Sequence, residues 1–167
     1  MTLLWLIGLM GTGKTTAGRR ASEILGVGFI DTDQLVEERA GMRVPDIWEL
    51  GGEPLFREHE RLAIAGMKGH TGIVATGGGA VLDPTSRDAM RRSGHVIWLE
   101  AAPEIIAGRI AAGGRPLLLR EGALELTLRE LLEKRREAYA SAATERIDTG
   151  PLDVEEVAAE IATRWPA

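Results

Sequence analysis

The sequence predicts an α/β fold, a parallel sheet with helices on both faces, and three observations carry that prediction. A glycine-rich stretch, "GLMGTGKTT" at 8–16, joins a first apolar run to a helical segment. Short apolar runs then alternate with longer helical patterns, as strands joined by right-handed helical crossovers do. The runs are almost continuous in hydrophobicity, as strands covered on both faces are.

The elements follow in order. The apolar run Leu3–Ile7 is the first strand, and the glycine loop leads from it into a helix near 14–25. Gly28–Ile30 is a second strand, followed by a helix near 33–40 and another near 53–67. Ile73–Ala75 is a third strand that runs straight into three glycines, and a helix near 84–92 follows. Val96–Leu99 leads to a helix near 103–111, and Arg146–Asp148 is preceded by a helix near 124–140. The last helix, near 153–164, starts well: Asp153 can cap it, and Glu155 and Glu156 suit the positive end of its dipole. Residues 112–122, "AGGRPLLLREG", fit neither pattern. Gly113 and Gly114 give hinge freedom and Pro116 blocks a helix, so the stretch reads as a surface loop or a lid.

Composition narrows the function. A chain of 167 residues with 44% hydrophobic and 27% charged residues suits one domain with its own core. Twenty basic against 25 acidic residues give a net charge of -5, which speaks against a nucleic-acid partner. The absence of cysteine excludes disulfides, thiolate metal sites and cysteine nucleophiles. No stretch reaches the ~20 apolar residues of a membrane span, and the first apolar run lacks a charged leader, so a cytoplasmic protein is expected. His59, His70 and His95 are scattered without metal-ligand spacing.

The chemistry concentrates where strands end. Gly8, Gly13, Lys14 and Thr15 form G-x-x-x-x-G-K-T, placed between a strand and a helix. Its backbone N–H groups cradle phosphates, the lysine reaches the outer ones, and the threonine hydroxyl can ligate Mg²⁺. Asp31 and Asp33 follow the second strand, at the rim where such sheets bind ligands. From position alone Asp33 either caps the next helix or faces that crevice. Arg57 stands three residues before Glu60, so the two can pair on one helix face, in solvent or in a site. Arg135 falls on the stripe of Leu128, Leu131 and Leu132, where an arginine snorkels or meets a buried anion. The triplet Gly77, Gly78 and Gly79 is a loose loop, or a bare backbone against which a small ring can lie.

Together "GLMGTGKTT", "DTD", "GGEPLFREHE", "TGGGAV", "RPLL" and "EKRREAY" occur in the order and rough spacing of the shikimate kinases, and the chain resembles that family from Leu3 to about Asp148. The resemblance implies ATP-dependent phosphorylation of the 3-hydroxyl of shikimate, in chorismate and aromatic amino-acid synthesis. It implies one three-layer P-loop kinase domain over 1–167, with a five-stranded parallel sheet in the order 2-3-1-4-5 and helices on both faces. Shikimate-binding helices at about 33–67 and a mobile lid at about 112–122 complete it.

Residue by residue, the resemblance places ATP against Gly11, Thr12, Gly13, Lys14, Thr15 and Thr16, with Arg109 and the lid arginine Arg115. Mg²⁺ falls to Thr15 and, through water, Asp31. Shikimate falls to Asp33, Arg57, Glu60, Gly77, Gly78, Gly79 and Arg135, with Arg57 and Arg135 on its carboxylate and the Gly78 N–H on the ring. Lys14, Asp33 and Arg115 are the implied catalytic residues. ATP and shikimate are the expected partners of a monomer, with no nucleic acid or membrane. Two stretches depart from the family pattern: "GRIAAGG" is small and apolar, and "DTGPLDVEE" carries no basic residue. A gluconate or nucleoside-monophosphate kinase would not need the DTD, F-R and GGG elements together. A non-catalytic nucleotide-binding module would be expected to have lost one of Lys14, Thr15, Asp31, Asp33 or Arg115, and all are present.

Overall fold

The computed structural model describes residues 2–112 and 123–166. Five parallel strands form one sheet: β1 (Leu3–Ile7), β2 (Phe29–Asp31), β3 (Gly72–Ala75), β4 (Gly94–Glu100) and β5 (Glu145–Asp148). Their order is β2-β3-β1-β4-β5, as expected. β1 is central, with Trp5 opposite Val74 on one side and Val96 on the other. All five of its residues are buried. Alternate side chains serve two cores. Leu3, Trp5 and Ile7 pack with Ile64, Met90, Ile106 and Tyr139 on one face, and Leu4 and Leu6 pack with Ala17, Ala21, Val157 and Ile161 on the other.

The helices are α1 (Lys14–Leu25), α2 (Thr32–Ala40), α3 (Val44–Gly66), α4 (Pro84–Ser93), α5 (Pro103–Ala112), α6 (Ala123–Ala142) and α7 (Val154–Thr163). α1 lies close to the sheet because its inner face is small; a Cβ on Gly18 would come within 2.6 Å of Leu6 and 2.9 Å of Phe29. α7 begins as its sequence suggests, with a full capping box between Asp153 and Glu156. A short 3-10 turn, Ala80–Leu82, follows the glycine triplet and was not expected. The lid region 113–122, Arg115 included, lies outside the described residues.

The helix expected over 53–67 is the second arm of a longer element. α3 starts at Val44 and breaks at Gly52, whose φ of 63° and ψ of -159° are not helical. Pro45 and Pro54 stand near the start of each arm, where a missing N–H costs little. The break lets the first arm lie along α2, and Val36, Ile47, Phe56 and Ala63 close a third small core between them.

Gly52 occupies backbone space that is essentially reserved for glycine. Gly52→Ala should therefore lower stability by roughly 1–3 kcal/mol in urea unfolding. Gly66→Ala is the control: φ is ordinary there and a Cβ meets nothing within 4 Å, so stability should hold or rise slightly. Equal midpoints for the two variants would remove the strain argument.

Candidate active site

The carboxyl ends of β1, β2 and β3 open into a cleft of about 970 Å³. The loop after β1 forms its floor. Gly8, Gly11 and Gly13 there have φ of 144°, 77° and 92°, values that side chains resist. Gly8 and Gly11 also need room, since a Cβ would come within 2.2 Å of the Leu99 carbonyl and 2.8 Å of Ile106. Gly13 leads into α1 with no side-chain cap, so that helix's first N–H groups remain open to an anion. Lys14 is folded onto its own loop, with Nζ donating to the carbonyls of Gly8 (2.9 Å) and Leu9 (2.7 Å). Burial lowers its pKa to about 8, although Asp31 and Asp33 pull the other way.

The three residues of DTD carry three separate contacts. Asp31, not Asp33, caps α2: its Oδ1 accepts from the Asp33 N–H at 3.0 Å. Its Oδ2 accepts from the Thr15 hydroxyl at 2.8 Å. Thr32 is buried and its Oγ1 accepts from the Gly77 N–H at 3.1 Å, which ties β3's end to α2. Asp33 faces the cleft, and its carboxylate takes no hydrogen bond among the described residues. The walls around it and the charge of Asp31 push its carboxyl up, against the opposing pull of Lys14 and Arg57. Capping is thus removed as an account of Asp33.

Arg57 and Glu60 pair as their spacing suggests, at 2.6 Å. Glu53, one turn earlier, takes the Nε and Nη2 of Arg57, each at 3.1 Å. The Glu60 side chain is only 3% exposed. Burial raises its pKa while Arg57 opposes that rise, and its Oε1 has no partner among the described residues.

The glycine triplet has a cause that its sequence does not display. None of the three has positive φ, so conformational freedom is not the requirement. At Gly77 and Gly79 space is, and charged side chains fill it. A Cβ on Gly79 would come within 2.1 Å of the Arg57 guanidinium. On Gly77 it would come within 2.6 Å of Glu60 Oε1 and 3.2 Å of Asp33 Oδ1. On Gly78 it would lie 3.4 Å from the Gly8 carbonyl and 3.5 Å from Arg135. The picture of bare backbone open to a ring is corrected at Gly77 and Gly79, where the glycines make way for Glu60, Asp33 and Arg57.

Among the described residues Arg135 meets no buried anion; its Nη1 donates to the Gly78 carbonyl at 3.1 Å. Arg109 stands on the far wall of the cleft. Its Nη1 donates to Thr149 Oγ1 at 3.0 Å and its Nη2 to the Thr149 carbonyl, so it holds the turn after β5. Gly11, Thr12 and Thr16 line the same cleft. Thr32, Glu53 and Tyr139 are site neighbours that the sequence reading did not single out. Only Glu53 left a signal, its i,i+4 spacing to Arg57. Among the described residues no cluster of three metal-ligating side chains exists. No described helix is long and apolar enough to cross a membrane.

Known proteins resemble this chain over most of its length. A family model described as shikimate kinase matches residues 10–165. A shikimate kinase from Symbiobacterium thermophilum is 47% identical over 160 residues, covering 93% of this chain and 91% of the relative. One from Caldanaerobacter subterraneus subsp. tengcongensis is 44% identical with the same coverage. The solved structure of shikimate kinase from Acinetobacter baumannii in complex with shikimate superposes with a TM-score of 0.85 at 33% identity, covering 96% of this chain and 90% of that one.

With Lys14 expected on the phosphates, its lowered pKa predicts an ATP affinity that depends on pH. In the free protein the ammonium form is lost as pH rises through about 8. ATP affinity measured by calorimetry should be flat below that point and fall by up to about tenfold per pH unit above it. The slope should vanish in Lys14→Arg, which stays charged. A flat parent profile between pH 8 and 9.5 would contradict the assignment.

Proposed function

The chain belongs to the shikimate kinase family, and on that premise we propose how its residues divide the work of phosphorylating the 3-hydroxyl of shikimate with ATP. The observation that carries the assignment is the contact between the two halves of the site. A Cβ built on Gly78 would lie 3.4 Å from the Gly8 carbonyl, 3.5 Å from Arg135 and 3.6 Å from the Met10 nitrogen, so the P-loop and Arg135 converge on one point of the triplet. Donor and acceptor therefore share one wall, as in-line transfer requires.

ATP lies along the P-loop from Gly11 to Thr16, its phosphates on the loop N–H groups and the open start of α1. Lys14 turns from its two carbonyls toward the β- and γ-phosphates. Arg57 and Arg135 grip the shikimate carboxylate, and Glu53 and Glu60 hold Arg57 at the angle for it. The Gly78 N–H meets the ring from the side. Asp33 accepts a hydrogen bond from the 3-hydroxyl, turns its oxygen toward the γ-phosphorus, and receives its proton as the new P–O bond forms and ADP leaves. An upward-shifted carboxyl suits that exchange.

Thr15 and Asp31 fit Mg²⁺: they offer one hydroxyl and one carboxylate oxygen, hard donors already 2.8 Å apart. So small a set suits a cation that keeps most of its water and shares the rest with phosphates. When bound, Mg²⁺ neutralises charge on the outer phosphates. Arg109 fixes the turn that walls the nucleotide-base end of the cleft, and Arg115 supplies a further cation at the phosphates.

ADP release with shikimate, quinate, gluconate and AMP offered separately tests the assignment. Shikimate should be the acceptor, and turnover confined to gluconate or AMP would reject it.

The aspartate roles separate by substitution. Asp33→Asn should lower turnover by ~10²–10⁴-fold, with ATP binding intact and no rescue by Mg²⁺. Asp31→Asn should stay folded, because asparagine caps a helix about as well. It should need more Mg²⁺, and excess should restore part of the rate. Steady-state rates across a Mg²⁺ titration decide this: rescue of Asp33→Asn alone would exchange the roles.

A further inference from the structure

Tyr139 is fully buried on α6, one turn beyond Arg135, with its ring stacked on Trp98 at a centroid distance of 5.4 Å and an angle of 19°. A phenylalanine would fill that space and keep that stack. The hydroxyl donates to the Gly78 carbonyl at 2.5 Å, the same oxygen that Arg135 Nη1 reaches at 3.1 Å, so the phenol and the guanidinium sit side by side on it. Two donors from one helix thus hold a single carbonyl in the glycine triplet. The peptides here are trans, so the direction of the Gly78 C=O fixes the Gly79 N–H the opposite way. Neither the Gly78 nor the Gly79 N–H has a partner among the described residues. The same clamp seats the Arg135 guanidinium, which has no carboxylate partner of its own among the described residues. Burial pushes the phenol up to about 12, so it remains a donor at any working pH.

We propose that Tyr139 is a positioning residue for the acceptor, acting through the Gly78 carbonyl to seat Arg135 and to hold the Gly78–Gly79 peptide in place beside it. It touches neither substrate. This rests on the assignment of the triplet and Arg135 to shikimate.

Tyr139→Phe removes the hydroxyl alone. The KM for shikimate should rise about 3- to 10-fold, the loss of one neutral hydrogen bond. The KM for ATP should not change. Trp98→Phe is the packing control: it disturbs the stack, lowers the melting temperature and leaves the KM for shikimate alone. Tyr139 is the only tyrosine in the chain, so 3-fluorotyrosine labelling gives one ¹⁹F resonance, which should shift on adding shikimate to the otherwise unaltered protein. A Tyr139→Phe enzyme with both KM values at the parent level overturns the proposal, as does a parallel rise in both or a resonance that shikimate leaves in place. A parent enzyme inactive on shikimate instead fails the functional assignment on which the proposal rests.

Discussion

Two missing Cβ atoms, at Gly77 and Gly79, let Glu60 and Arg57 reach the end of β3, while the P-loop and Arg135 lie in contact range of Gly78 between them. The rest of the site is arranged around that crowding. α3 must break at Gly52 so that its second arm brings Arg57 and Glu60 inward while its first arm covers α2. Thr32 must hold the Gly77 N–H so that the triplet keeps its height above α2. The packing on β1 is what holds these distances, since every residue of that strand is buried between two cores.

The charges in this space are balanced and mutually dependent. Lys14, Arg57 and Arg135 stand with Asp31, Asp33 and Glu60, and each shifted pKa among them names other members of the set as causes. Burial raises the carboxyls of Asp33 and Glu60 and lowers Lys14, and the opposite charges limit both effects. Such an assembly is costly to leave without ligands, because partly desolvated charges lose hydration that their neighbours only partly replace. On the assignment proposed above, anionic substrates supply further partners for these cations.

Much of the fold was legible because its signals are local. The P-loop, the apolar run of β1, the Asp153 cap and the Arg57–Glu60 spacing each lie within a few residues of sequence. The first arm of α3 was not, because Pro45 and the glycine pair at 51–52 read as breaks, although a proline in a first turn is harmless. Whether Asp33 caps α2 or faces the crevice stayed open in the sequence, since either aspartate satisfies the capping pattern and only backbone geometry distinguishes them. The residues of the site were legible as types, but the reason for the glycine triplet was not. It depends on side chains 17 to 57 positions away in sequence, at Glu60, Arg57 and Arg135. Tyr139 closes the quoted motif EKRREAY, but its role was not legible for the same reason: its partner is a carbonyl 61 residues distant.

Asp31 spends its two oxygens on two different tasks. The capping bond to the Asp33 N–H fixes the plane of the carboxylate, and the Thr15 hydroxyl gives its proton to the other oxygen. A hydroxyl that donates in one direction presents its lone pairs in the remaining ones. The rotational entropy of both side chains, up to about 2 kcal/mol for a flexible one, is thus lost when the chain folds and not when a cation arrives. On the proposed Mg²⁺ assignment, the carboxylate that starts α2 is also the one that would meet the ion.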